Sequence, residues 1–330
     1  MMRRLVFPAR GWRPVAFTVI GVLALVLGGA GRADAACTAS AASDAAFGTV
    51  TSFDVAGTSQ LTSTINAGLT CTGALLTLLQ ANDFIDATVT SASGGLRGPA
   101  GDLVPYTVYA DGTTSNPIAL GTPFNYHTGT LLDILGLLSG GTNDLPMFLR
   151  TTPGANVAAG TYTDTLSIVW SWNYCDGIGL GGLCTHHDVG TGASTFQVTL
   201  VVTNACEITS VSDVDFGQAP TPASFAAVSG SVAVLCTKGL ASYTVGLGPG
   251  LHAAAGRRQM ANGASVLQYD LFKPASQQLW GASGGARAQN TAPADGLDPQ
   301  AFGYEAVVYP DQATPPVGVY TDTVIVDVAF

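Results

Sequence analysis

Six cysteines, four histidines and a small set of serines and carboxylates are the residues of this 330-residue chain whose types could do chemistry. Cys37, Cys71, Cys175, Cys184, Cys206 and Cys236 could pair as disulfides, or some could join His186 and His187 around a zinc ion. Structural zinc sites use close Cys-x2–4-Cys spacing. Cys175 and Cys184 lie too far apart for that, and an even cysteine count in an exported chain points to disulfides. Gly281-Ala282-Ser283-Gly284-Gly285 fits the G-x-S-x-G pattern of a nucleophilic serine. That serine needs a strand turning sharply into a helix, which these residues do not offer, and a chain with 41 glycines produces such matches by chance. Asp213 and Asp215 alternate along one strand edge with no further acidic cluster to complete a calcium site. No histidine has a base–nucleophile partner. The expectation is a non-enzymatic protein with no metal and no cofactor.

The elements that carry these residues must be strands. Charged residues make up 10% of the chain, where a typical soluble domain has about 25%. Lys238, Lys273, Glu207 and Glu305 are its only lysines and glutamates, and helix surfaces are normally built from those two types. Glycine, threonine and serine suit strands joined by turns. An apolar content of 47% excludes intrinsic disorder, and a net charge of -10 argues against a nucleic-acid partner.

The N-terminus reads as a signal peptide over residues 1–35. Arg3, Arg4, Arg10 and Arg13 precede an apolar run from Val15 to Leu27, and Ala33-Asp34-Ala35 offers a small-x-small cleavage site. The run is shorter than the ~20 residues that span a bilayer. Without it the chain keeps 7 basic and 21 acidic residues, and no second segment is long and apolar enough to span a membrane. The mature protein is expected to be exported and acidic.

An internal repeat organises the rest. Gly160-Thr161-Tyr162-Thr163-Asp164-Thr165-Leu166 recurs as Gly318-Val319-Tyr320-Thr321-Asp322-Thr323-Val324. Cys37 and Phe47-Gly48 match Cys206 and Phe216-Gly217, Cys71-Thr72 matches Cys236-Thr237, and Tyr106–Tyr109 matches Tyr269–Phe272. The matches stay collinear, with offsets falling from 169 to 158, so two homologous domains are expected. The repeat selects Cys37–Cys71 and Cys206–Cys236 as pairs, each closing a loop worth roughly 3–4 kcal/mol in the chain-entropy account. Cys175 and Cys184 have no counterpart and are expected to staple a Gly-rich hairpin. Residues 162–172 alternate with period two, placing Tyr162, Asp164, Leu166, Ile168, Trp170 and Trp172 on one face. Tyr320, Asp322, Val324, Val326, Val328 and Phe330 repeat that parity, and Phe196, Val198, Leu200 and Val202 alternate again. Short strands with frequent turns predict an all-β chain of two tandem β-sandwiches.

The copies end differently. The first continues through 194–204, whereas the second stops at Phe330 within its last apolar strand, and so is expected to lack its final strand. Such a sandwich leaves an apolar groove and unpaired backbone groups that a strand from another chain could fill. The Cys…Phe-Gly…Cys-Thr…Gly-x-Tyr-x-Asp-Thr pattern, present twice over nearly all of residues 37–330, resembles the spore coat protein U domain, found in subunits of archaic (Csu-type) chaperone–usher pili. The resemblance implies incomplete immunoglobulin-like folds, a periplasmic chaperone, an outer-membrane usher and joining to the next pilin subunit by donor-strand exchange. An ordinary pilin of that family carries a donor extension before its first cysteine. Here cleavage would leave Ala36 alone before Cys37, and the donor-like segment instead precedes Cys206.

The organisation expected is therefore a tip domain at 36–193, a linker and in-chain donor strand at 194–205 (Phe196, Val198, Leu200 and Val202 pointing inward), and a pilin-type domain at 206–330. Tyr320, Val324, Val326, Val328 and Phe330 would border the acceptor groove. The other reading of 194–204 is a last strand plus linker. Apolar segments without counterparts mark a surface-binding region: Leu131, Leu132, Ile134, Leu135, Leu137 and Leu138, then Ile178, Leu180 and Leu183 in the cysteine hairpin, with Leu75–Leu79 a third insertion. They could equally cover the sandwich ends. Trp170, Trp172 and Tyr174 could line a lectin pocket or belong to the core. The function implied is a pilus-tip adhesin at the cell surface, promoting attachment to apolar or host surfaces and biofilm formation. A structural spore coat or matrix protein is the alternative.

Overall fold

The computed structural model of the protein describes residues 36–72, 83–126, 131, 142–175 and 187–330. The expected signal peptide lies outside them. No helix among the described residues is long and apolar enough to cross a membrane.

The first domain is built on β1 (Ala36–Ala39), β2 (Ala45–Thr51), β3 (Leu69–Thr72), β4 (Phe84–Ser91), β5 (Pro123–Asn125), β6 (Thr142–Asp144), β7 (Gly160–Cys175) and β8 (His187–Thr203). The largest sheet has the order β5-β4-β7-β8-β2. A second sheet joins β1, β3 and β6, and a third is formed by Leu61–Ser63, Phe148–Thr151, Tyr106–Tyr109 and Pro117–Ile118. β7 alternates as its sequence predicts: Tyr162, Leu166, Ile168, Trp170, Trp172 and Tyr174 are all buried. Each such side chain removed from water contributes roughly 1.5–3 kcal/mol.

The second domain comprises β9 (Cys206–Val211), β10 (Val228–Cys236), β11 (Thr244–Leu247), β12 (Arg258–Asn262), β13 (Ser265–Lys273), β14 (Gln300–Val308) and β15 (Val326–Ala329). One sheet has the order β9-β10-β14-β13-β12, and the other pairs β11 with β15 and with Ala288–Gln289. Separate apolar cores lie behind the sheets of the two domains. Disulfides join Cys37 to Cys71 and Cys206 to Cys236, at directly paired strand positions. Cys175 is also disulfide-bonded, and its expected partner, Cys184, lies outside the described residues.

The repeated tyrosine makes the same local bond in both copies, at the start of β7 in the first and ahead of β15 in the second. The Tyr162 hydroxyl donates to the Ala158 carbonyl (2.7 Å), and the Tyr320 hydroxyl to the Pro316 carbonyl (2.7 Å). This is the tyrosine corner of immunoglobulin-like sandwiches. The fold is two immunoglobulin-like β-sandwiches in tandem. The boundary expected at 193/194 falls inside β8, because β7 and β8 form one long hairpin paired from Gly160–Val202 to Cys175–His187.

Asn204 and Ala205 alone separate β8 from β9. Ala205 exchanges hydrogen bonds with Thr237, and the buried Thr237 hydroxyl meets that of Ser52 at 2.7 Å. Ser52 opens a short helix, α1 (Ser52–Gly57), set by a Thr51/Asp54 capping box. Lys238 Nζ contacts Asp102 Oδ1 at 2.6 Å, and the Ala158 amide donates to Asp102 Oδ2. Burial works against the Asp102 charge, but the hydrogen bonds from Lys238 and Ala158 hold its carboxyl below the ordinary range. A depressed carboxyl stabilises the fold above the ordinary Asp range and loses that contribution as pH falls through the folded value. Lys238 is 40% exposed, so the pair is worth at most about 1 kcal/mol. Lys238→Met should leave both domains folded but broaden the inter-domain distance distribution measured by paired spin labels. Acidification of the wild-type chain through that range should broaden it in the same way.

Candidate functional site

The two copies differ beside the last strand. In the first domain β7 pairs with β4 on one side and β8 on the other, and β8 in turn runs parallel to β2. Phe196, Val198, Leu200 and Val202 point inward from β8 and are 0–2% exposed. In the second domain the matching segments stand apart. Asp213–Gly217, whose Phe216 matches Phe47 of β2, forms no strand, and of Tyr320–Phe330 only β15 is strand. β15 pairs with β11 on one side, and among the described residues no strand lies on its other side.

Between these segments runs a groove whose two adjoining stretches hold about 700 and about 420 Å³. Val214, Phe216, Met260 and Tyr320 line both. Val324 and Val326 face it farther along, and with Tyr320 and Val328 they are partly buried against the second core. Phe330 is 61% exposed at the strand end. The strand is held from behind: Gly248 N–H donates to the Ile325 carbonyl, and Arg287 pairs with Asp327 at 2.7 Å. Unpaired backbone along an apolar floor has the chemistry to pair with an extended chain that carries alternate apolar side chains.

A second feature lies at the far end of the first domain. Thr72 pairs with Ala36 and Thr142, Phe84 with Asn173, Asn125 with Asp86, and Cys175 with His187. These registers gather the chain positions flanking segments 73–82, 127–141 and 176–186 at one pole. The opposite pole carries Ser52, Asp102 and Ala158, which meet the second domain. Leu132, Ile134, Leu135, Leu137, Leu138, Ile178, Leu180 and Leu183, and the Leu75–Leu79 insertion, lie outside the described residues. Leu131 corrects its expected surface role: it is fully buried in the first core, because the sandwich closes over it.

Of the two readings of the aromatics, core or lectin pocket, the structure gives the core. Trp170, Trp172 and Tyr174 are 0–5% exposed, because β7 turns that face into the sandwich. Their polar atoms are tied inward. Trp170 Nε1–H donates to Ser194 Oγ, which donates to the Ala67 carbonyl. Asp188 Oδ2 accepts from the Cys37 amide (2.8 Å), Trp172 Nε1 (3.2 Å) and the Tyr174 hydroxyl (2.9 Å). The sequence reading missed Asp188 and Ser194. Extending the parity of Phe196 backwards points both inward, but Gly190 and Gly192 interrupt the apolar signal there. Those glycines are required, since a Cβ on Gly190 would collide with the Trp172 ring and one on Gly192 with Ala39.

Ser283 precedes a single 3-10 turn at Gly284–Ala286, so it does not sit between a strand and an α-helix. Asp215 accepts from the Gly217 amide in a local turn. No group of three His, Cys, Asp or Glu among the described residues could hold a metal ion.

The spore coat protein U domain matches residues 30–169 and again residues 193–327. The chain belongs to the spore coat protein U domain family. The two matches repeat the order of the two sandwiches. A solved structure shares 25% identity over 89% of this chain and 100% of its own, with a TM-score of 0.63: the CsuC–CsuE chaperone–tip adhesion subunit pre-assembly complex from archaic chaperone–usher Csu pili of Acinetobacter baumannii. The CupB6 tip adhesin of Pseudomonas aeruginosa is 12% identical over 89% of this chain and 94% of its own, with a TM-score of 0.29. CfaE, the adhesive subunit of CFA/I fimbria of enterotoxigenic Escherichia coli, is 9% identical over 88% and 92%, with a TM-score of 0.32. No curated protein sequence matches the chain.

The contrast between the grooves sets an expectation for β8. A fragment of residues 36–205 should fold, and one ending at 193 should not, as followed by circular dichroism and proteolysis. Within the longer fragment Phe196→Ala should cost about 3–5 kcal/mol in denaturant unfolding. Val169→Ala, on the exposed face of β7, should change stability by less than about 0.5 kcal/mol.

Proposed function

We propose that this chain is the tip adhesin of a chaperone–usher pilus. Its first domain is completed by its own strand β8, and its second domain accepts a donor strand from a partner. The observation that carries this reading is the pair of homologous grooves within one chain, one filled and one open. In this reading a periplasmic chaperone first occupies the open groove. The next pilin subunit replaces it at an outer-membrane usher, and the protein reaches the cell surface at the fibre end. The similarity to a chaperone–tip adhesion subunit complex supports the same assignment. Surface contact falls to the pole remote from the second domain, where the positions flanking the three apolar segments gather.

An apolar tip needs no specific receptor. Each leucine or isoleucine pressed against an apolar surface is worth roughly 1.5–3 kcal/mol, and many fibres add avidity. That combination supports attachment and biofilm formation. The leader-like N-terminus supports export.

Expressed with its chaperone, the mature chain should purify as a soluble complex of the two. Expressed alone it should aggregate through its open edge, and a stable chaperone-free monomer would refute the assignment. Leu180→Asp and Leu135→Asp should leave fibre number unchanged while reducing attachment to hydrophobic plastic, the pair more than either alone. Immuno-electron microscopy should place this subunit at fibre ends. Label spread over a coat or matrix would instead favour a structural role.

A further inference from the structure

The repeated Gly-x-Tyr-x-Asp-Thr motif puts a carboxylate on the inward face of an otherwise apolar strand, twice. Asp164 is 3% exposed, and the Asp322 side chain is 2% exposed. A carboxylate is buried at great cost unless hydrogen bonds replace its water. Both copies meet that need with matched partners. The Tyr106 hydroxyl donates to Asp164 Oδ2 (2.7 Å), and the Tyr269 hydroxyl to Asp322 Oδ2 (2.8 Å). A loop amide supplies the second bond: Ser93 N–H to Asp164 Oδ1 (3.1 Å) and Leu251 N–H to Asp322 Oδ1 (2.9 Å). Burial, then the bond to the carboxylate, drives both tyrosine hydroxyls far above their ordinary range, so they remain donors. Gly250, with φ +84°, packs directly on Asp322, where any side chain would collide with the carboxylate. His252 Nδ1 lies 3.4 Å from Asp322 Oδ1.

What else restrains the two strands is unequal. β7 is laddered to β4 and β8, so Asp164 acts on a strand already fixed. Residues 318–324 belong to no strand ladder, and their backbone meets the rest of the domain through an isolated bridge between Thr321 and Ala261. There the carboxylate ties the groove wall to β13 and to the loop of Gly250–His252.

We propose that Asp322 is a positioning residue of the acceptor groove, pinning residues 318–324, which lead into β15, to Tyr269 and the Leu251 amide so that the groove stands ready before a donor strand arrives. The inference rests on the acceptor reading above and adds the residue that preorganises it. A groove already in its bound geometry captures a strand without first ordering its own wall. Asp164 makes equivalent bonds, but β8 makes them redundant.

The test compares Asp322→Asn and Tyr269→Phe with Asp164→Asn and Tyr106→Phe in the full mature chain, purified with its chaperone and released from it at nanomolar concentration immediately before each measurement. The capture probe is a labelled synthetic peptide of residues 193–204, the strand that fills the homologous groove. Asp322→Asn and Tyr269→Phe should slow peptide association about tenfold and leave dissociation within about twofold of wild type. A merely structural loss would act on dissociation as well. The Asp164 and Tyr106 variants should capture peptide at the wild-type rate. Pulsed hydrogen exchange of the newly released chain, before it aggregates, gives the second readout. Protection at Leu251 and across 318–325 should fall in the Asp322 and Tyr269 variants, while β13 and β14 keep theirs. Tyr269→Phe removes one bond and no volume of consequence, so it serves if Asp322→Asn fails to fold. Unchanged exchange and association in the Asp322 and Tyr269 variants would overturn the proposal, as would equal slowing by Asp164→Asn. A wild-type chain that captures no peptide defeats the acceptor reading itself, and exchange then still decides whether Asp322 pins the strand.

Discussion

A sandwich strand whose edge is bare above an apolar floor exposes unpaired backbone to any strand that can pair with it. Everything distinctive in this chain follows from how its two copies meet that constraint. In the first, β8 fills the space between β7 and β2, satisfies both edges and buries Phe196, Val198, Leu200 and Val202. In the second, the same floor is present, but the segment matching β2 forms no strand and the last strand is short. Similar sequence therefore gives strand in one copy and irregular chain in the other. A β-strand is a property of the pair, since half its hydrogen bonds belong to a neighbour.

The remaining features brace that arrangement. Each repeated disulfide ties the first strand of its domain to a neighbour at a paired position. The repeated tyrosine hydroxyl donates to a carbonyl four residues back in both copies, and the repeated aspartate accepts from a tyrosine hydroxyl in both. The junction is short and bonded on both sides. The pole remote from the open groove is thus held at a set position relative to it.

Much of this was legible in the sequence because strand periodicity and the repeat report on each other. The alternation of Tyr162, Leu166, Ile168, Trp170 and Trp172 identified the buried face of β7. The collinear match of Cys37 and Cys71 with Cys206 and Cys236 named two disulfides among six cysteines. The reading failed where polarity and position part company. Leu131 is apolar and stands among leucines that suggested a surface patch, yet it is buried. Asp188 and Ser194 are polar and carry no apolar signal that marks them as inward, yet they accept from the two indoles and the Tyr174 hydroxyl of the core. Side-chain type records a preference for water, not the partners available inside.

The sequence by itself determined the all-β class, the two copies and the face each strand buries, because these depend on period and on residues near one another in the chain. Only the tertiary structure decided that β7 and β8 form one continuous hairpin, that the positions flanking three separate segments gather at one pole, and that Asp322 meets Tyr269 while Lys238 meets Asp102. Those outcomes depend on register between strands distant in sequence. Register is set by how a whole sheet packs its inward side chains, a sum over many neighbours that no local stretch contains.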